Sequence, residues 1–195
     1  SVRQAVKEVF LQDAYPDFDI NNADLVLSFG ADFLSTWVSP TRYSRGYGEF
    51  RQGHDHRGKL IHIESRFSHT AANADQWVRP NPGTEGILAL AIIQEIVSHE
   101  SPDSSVVEAL TGGDTSWLDS YAPDNVAARI GVEADVIKHI AHDFSHASHP
   151  ISIGGGSAAA HSNGLSAMKA AFSLNHLAGN IGTKGGVILN PVSPL

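Results

Sequence analysis

The sequence contains no cysteine. Disulfides, cysteine nucleophiles, thiolate zinc sites and iron–sulfur clusters are therefore excluded from this segment. The redox compartment stays open, because a chain without cysteine fits either side of a membrane. Long hydrophobic runs are also missing: no stretch of about 20 apolar residues could span a bilayer, so direct membrane insertion is not expected. The first residues do not read as a signal peptide, so none is expected within this segment. Positive charge is scarce. Thirteen Lys and Arg against 21 Asp and Glu leave a formal charge of −8, the wrong sign for a general nucleic-acid binder. The dinucleotide fingerprint G-x-G-x-x-G is absent, as are the P-loop Gly-Lys-Ser/Thr and the H-E-x-x-H of zinc proteases.

What is present suits one sizeable domain with a real core: 195 residues, 42% of them hydrophobic, with room for at most a second small lobe. Seven of the 13 basic residues cluster between Arg42 and Arg79, namely Arg42, Arg45, Arg51, Arg57, Lys59, Arg66 and Arg79. A basic stretch on an acidic chain fits a small anionic ligand such as a nucleotide diphosphate; it also fits a solvated loop. The chain opens at Ser1 without an initiator Met and closes on Pro194-Leu195 after an apolar stretch. The expectation is a segment of a longer protein.

Apolar runs and helical periods alternate. Residues 23–30, 59–64, 77–80 and 150–154 read as strands, the first with the continuous apolar character of a strand buried on both faces. Residues 39–58 read as a long connection with some helix. Asn81-Pro82-Gly83-Thr84-Glu85-Gly86 is a turn leading into an apolar helix over 87–97, with Thr84 as its N-cap. Residues 101–131 read as short helices with turns at Gly112-Gly113 and Pro123; 132–147 and 165–178 have helical patterns; 179–186 is a glycine-rich loop. This order predicts an α/β fold, a Rossmann-like, mostly parallel sheet with helices on both faces. Ligands then sit at the carboxyl ends of the strands, near the reversal of strand order. That selects Gly30 to Asp32, Glu64 to Arg66 and Gly154 to Gly156.

Each of these has two readings. Gly30 permits close backbone approach or merely ends a strand. Glu64 accepts hydrogen bonds from a ribose or is a surface carboxylate paired with Arg66. Gly83-Thr84-Glu85 offers free N–H groups to an anion and a carboxylate to the paired N–H donors of a guanine edge; Glu85 also suits a helix dipole. Gly154-Gly155-Gly156 cradles a phosphate or is a flexible turn. Asp32, Asp75 and Glu64 are possible neighbours. His139, His142 and His146 share one helical side with His149 just beyond, but no acidic third ligand is forced into place, so a solvated face and no metal site is the expectation. His54 and His56 sit in a polar loop.

Taken in order, Ala23-Asp24-Leu25-Val26-Leu27-Ser28-Phe29-Gly30-Ala31-Asp32, Ile63-Glu64-Ser65-Arg66 with Thr70 and Ala74-Asp75, Pro82-Gly83-Thr84-Glu85, Gly154-Gly155-Gly156 and residues 177–186 form one pattern. It resembles the third domain of the dimethyl sulfoxide reductase family of molybdopterin oxidoreductases. Phe29 to Leu34 with Trp37, Tyr43-Ser44-Arg45 and Phe50-Arg51 are similar to the molybdopterin-binding-like subunits of membrane quinone-linked complexes, such as alternative complex III and the quinone reductase complex. The resemblance implies one dinucleotide-binding domain over 1–195, cut from a respiratory subunit that moves electrons between a substrate and the quinone pool. It implies a bis(molybdopterin guanine dinucleotide) cofactor, with Gly30, Ala31 and Asp32 approaching the dinucleotide, Glu64, Ser65 and Arg66 at ribose and phosphate, and Gly83, Thr84 and Glu85 at the guanosine end. Gly154, Gly155 and His161 are further carry-overs. Asp32 stands where the family often has asparagine, and Glu64-Ser65-Arg66 replaces Asp-Pro-Arg. The implied partners are the remaining domains, an iron–sulfur subunit and a membrane anchor, in a bacterial membrane-associated complex on its periplasmic or cytoplasmic face. The family's metal ligand and cluster cysteines lie outside the matched stretch, so this chain is not expected to be active alone. A cofactor-free structural subunit of the same fold is the alternative.

Overall fold

A computed structural model describes residues 1–52 and 57–190. His54 and His56 lie outside the described residues. The framework is a four-stranded, all-parallel sheet, built from β2 (Leu25–Phe29), β3 (Lys59–Ile63), β4 (Gln76–Val78) and β5 (Pro150–Gly154) in the order β4-β3-β2-β5. The chain adds strands outward from β2 to β4, then returns to place β5 on the other side of β2. The reversal of direction therefore lies between β2 and β5. All five residues of β2 and of β5 are buried, as strands covered on both faces must be.

Helices supply that cover. α4 (Glu85–His99) is apolar on nearly every side and packs among α6 (Pro123–Ile130), α7 (Ala134–His146) and α9 (Gly164–Leu177). α4 and α9 meet at Gly86, where an added Cβ would lie 2.7 Å from Ala167 Cα. α7 lies on β2, and α9 covers β5 and supports α1 (Val2–Phe10). The stretch after β2 holds more helix than its polar sequence suggests: α2 (Pro40–Gln52) opens on a proline, whose fixed φ suits a first turn. It buries Tyr43, Gly46 and Phe50, which recur at helical spacing on one face. α5 (Ser104–Thr111) and a 3-10 turn over Ser116–Tyr121 lead to Pro123 at the start of α6.

Two features were not expected from the sequence. β1 (Asp17–Phe18) pairs antiparallel with β6 (Val187–Ile188), tying the two ends of the described chain together. And β5, an edge strand, does not leave its edge bare. The buried Asn175 of α9 accepts from Ser152 N–H at 2.9 Å and donates to Ser152 C=O at 2.8 Å, standing in for a neighbouring strand.

Candidate functional site

The tips of β2, β3 and β5 converge. Gly30 turns the chain at φ 65°, and its N–H donates to Ile63 C=O at 2.9 Å. A Cβ there would lie 2.6 Å from Ala158 N and 2.8 Å from Gly155 O; at Gly156 (φ 48°) it would lie 2.2 Å from Gly30 O. The turn after β5 thus packs backbone to backbone on the turn after β2, and Gly155 N–H donates to Phe29 C=O at 3.0 Å. Glycine is required here by the packing of two turns on each other. α8 (Gly156–Ala159) then carries the chain across the tips.

Glu64 follows β3 directly and is fully buried, not a surface carboxylate. Its Oε1 accepts from Ser157 Oγ at 2.8 Å, and its Oε2 lies 3.1 Å from Nε2 of the equally buried His62. A carboxylate only accepts, so His62 Nε2 carries the hydrogen; Nδ1 faces Ser28 Oγ at 3.0 Å. Burial raises the Glu64 pKa, but hydrogen bonds from His62, Ser68 and Ser157 outweigh it and hold the group down at about 2. Glu64 is therefore a charged, fully partnered carboxylate at neutral pH.

Asp32 is buried too. Its Oδ1 accepts from Thr70 N–H at 3.1 Å and Thr70 Oγ1 at 2.6 Å, at the start of the short helix α3 (His69–Ala72). Arg66, largely exposed, places Nη2 3.5 Å from both Asp32 Oδ2 and Glu64 Oε1. One guanidinium thus spans two carboxylates at the mouth of the site. Asp75 is not part of this group. It accepts from Leu60 N–H at 2.8 Å and pairs with Arg51, at the opposite end of β3.

Ser65 opens into a cleft of about 530 Å³ shared with Arg79, Pro80, Asn81, Pro82 and Gly131. The cleft joins the tip of β3 to the Pro82-Gly83-Thr84-Glu85 turn. Among the described residues Arg79 has no ion-pair partner. Gly83 (φ 80°) lies against the exposed His161 ring, 3.6 Å from where a Cβ would sit, and its C=O accepts from Asn163 Nδ2 at 2.9 Å. Thr84 occupies the N-cap position of α4, but its hydroxyl donates back to Asn81 C=O at 2.7 Å and caps nothing. Glu85, in the first turn, is 1% exposed, and its Oε1 has no hydrogen-bond partner.

The structure thus brings Gly30, Ala31, Asp32, Glu64, Arg66, Gly154, Gly155 and Ser157 into one packed cluster. Ser65 lines the cleft that reaches Pro82, at the start of the Gly83–Glu85 turn, and His161 lies against Gly83. His62 and Ser157 were not anticipated; Thr70 entered only as part of the family pattern, and Arg79 only as one of the clustered basic residues. A histidine two residues before Glu64 in a strand shares its face, which is the signal that marks His62.

Residues 4–191 match the family model described as molybdopterin oxidoreductase. The chain is 29% identical over 181 residues to the menaquinone reductase molybdopterin-binding-like subunit of Nitratidesulfovibrio vulgaris, covering 90% of this chain and 25% of that protein. It is 28% identical over 208 residues to the arsenate respiratory reductase molybdopterin-containing subunit of a Shewanella species, covering 93% and 24%. Acetylene hydratase from Pelobacter acetylenicus superposes with a TM-score of 0.73 at 21% identity, over 91% of this chain and 24% of that one, a likeness of fold. The chain spans about a quarter of the length of the curated relatives it matches.

Proposed function

This chain belongs to the molybdopterin oxidoreductase family, and we propose that it is the part of a larger respiratory subunit that holds the guanosine end of a molybdopterin guanine dinucleotide. The observation that carries this is Glu85: a carboxylate oxygen buried without a donor, in the first turn of α4, three positions after Pro82 of the cleft that ends at Ser65. An unpartnered buried acceptor costs about 1–3 kcal/mol or more, so it is retained where a ligand supplies the donor. The guanine edge offers two adjacent N–H groups, a match for one carboxylate. Ser65 and Arg79 line the same cleft and suit ribose and phosphate oxygens. Arg66, exposed beside them, offers further donors to an anion.

The chain's own residues bind and orient; the molybdenum centre of the bound cofactor supplies the electron transfer. Arg66, 3.5 Å from both Asp32 Oδ2 and Glu64 Oε1, offsets part of the repulsion these two carboxylates exert on a phosphate. The parent subunit passes electrons between a substrate and the quinone pool, with iron–sulfur and membrane-anchor partners. Relatives named as respiratory and menaquinone reductases support that reading.

A cofactor-free structural role has its own support. Asp32 and Glu64 are both engaged within the protein, and the Gly30 and Gly156 turns already fill the space between their strands. Denaturing the purified full-length protein separates the two. Stoichiometric molybdenum and released guanine nucleotide support the cofactor-holding role; the absence of both supports the scaffold.

A further inference from the structure

At the far end of α4 from Glu85, a second group of polar side chains meets. His142 and His146 project from one side of α7, four residues apart, with ring centroids 4.0 Å from each other. Glu100, the residue that ends α4, faces both. Its Oε1 is 3.3 Å from His142 Nδ1 and its Oε2 is 3.6 Å from His146 Nδ1. One ligand atom from each residue lies within 4.8 Å of the others.

Those separations are long for a charge-assisted N–H···O⁻ bond, which runs about 2.7–2.9 Å. They match the edge of a tetrahedron with metal–ligand bonds of about 2.0–2.1 Å, an edge of roughly 3.3 Å. The Glu100 side chain is only 17% exposed, whereas both imidazoles are more than half exposed and open to solvent. The carboxylate is held in place, and an ion can reach it.

We propose that Glu100, His142 and His146 form a three-ligand site for a first-row divalent metal of the zinc class, with water in the fourth position. Two imidazoles with one carboxylate favour zinc, nickel or copper over calcium or magnesium, which take oxygen ligands. His146 Nδ1, which lies 3.0 Å from His142 C=O, gives up that contact and binds the ion in its deprotonated form. The ion clips the end of α4 to the end of α7. A 15-residue helix spans about 22 Å, so the site lies that far from Glu85 and acts independently of any nucleotide.

Calorimetric titration of the chelator-treated full-length protein with zinc tests this. The expected result is a zinc-binding event that Glu100→Gln or His142→Ala weakens at least tenfold, while His139→Ala, one turn outside the group, leaves it unchanged. Cobalt substituted for zinc should give a visible d–d absorption that the His142→Ala, His146→Ala double variant loses. Circular dichroism without metal checks that each variant is folded. Zinc bound equally well by wild type and double variant, or no zinc bound by either, overturns the proposal.

Discussion

Ser157 Oγ donates a 2.8 Å hydrogen bond to Glu64 Oε1 across 93 positions of sequence. It joins the turn after β5 to the tip of β3 and passes directly under Gly30, where a Cβ would lie 2.8 Å from Ser157 Oγ. The Glu64 carboxylate links two strand ends directly, and His62, which it holds, extends the link to Ser28 of β2.

Glu64 should make stability depend on pH in a defined window. Its folded pKa, about 2, lies below the ordinary carboxylate value of 4.5. The stabilisation is therefore complete above pH 4.5 and is lost as pH falls toward 2. Urea unfolding should show Glu64→Gln less stable than wild type by about 2 kcal/mol at pH 7, with the gap narrowing by pH 3. A gap that does not change with pH would show that the charge is not what the network stabilises.

Asp32 works through its Oδ1 toward Thr70. Asn keeps an acceptor of the same shape, so Asp32→Asn should change stability by less than about 1 kcal/mol. Asp32→Ala strands two donors and should cost about 2 kcal/mol. Thermal melts of the two variants side by side check the order.

Much of the sheet could be read from sequence because β2, β3 and β5 are short, mostly apolar and end in or just before a glycine or a carboxylate. α2 was partly hidden: its mean hydropathy is low, and only Tyr43, Gly46 and Phe50 reveal its buried face. The two-residue pairing of β1 with β6 carries no periodic signal and depends on the chain ends meeting. At the site, the segments could be named from sequence but not the direction of each side chain. Asp32 turns inward because Thr70, 38 residues away, supplies the donors. Glu100 joins His142 only because α4 and α7 pack side by side.

Asn175 replaces a missing strand at the edge of β5. Asn175→Leu should leave Ser152 N–H and C=O without partners in the core and cost about 2–4 kcal/mol. The drop should appear in the urea midpoint, with amide exchange at Ser152 accelerated. Unchanged exchange at Ser152 would mean that the edge is protected by packing alone.

Glu85 should behave as a carboxylate held for a ligand. Glu85→Met removes an unpartnered buried acceptor and fills its space, at the loss of a helix-dipole contribution of about 0.5 kcal/mol. The ligand-free variant should be about 1 kcal/mol more stable than wild type in a thermal melt. A loss of 2 kcal/mol or more would assign Glu85 a structural role instead.

The most direct test compares guanosine and adenosine 5′-diphosphate binding to cofactor-free protein by calorimetry. Glu85 can pair with the two N–H groups of guanine and finds no such pair on adenine. Wild type should bind the guanosine ligand at least tenfold more tightly, about 1.4 kcal/mol, and Glu85→Gln should abolish the preference. Equal affinity for the two nucleotides, or a preference that survives Glu85→Gln, would contradict a guanosine site at these strand ends.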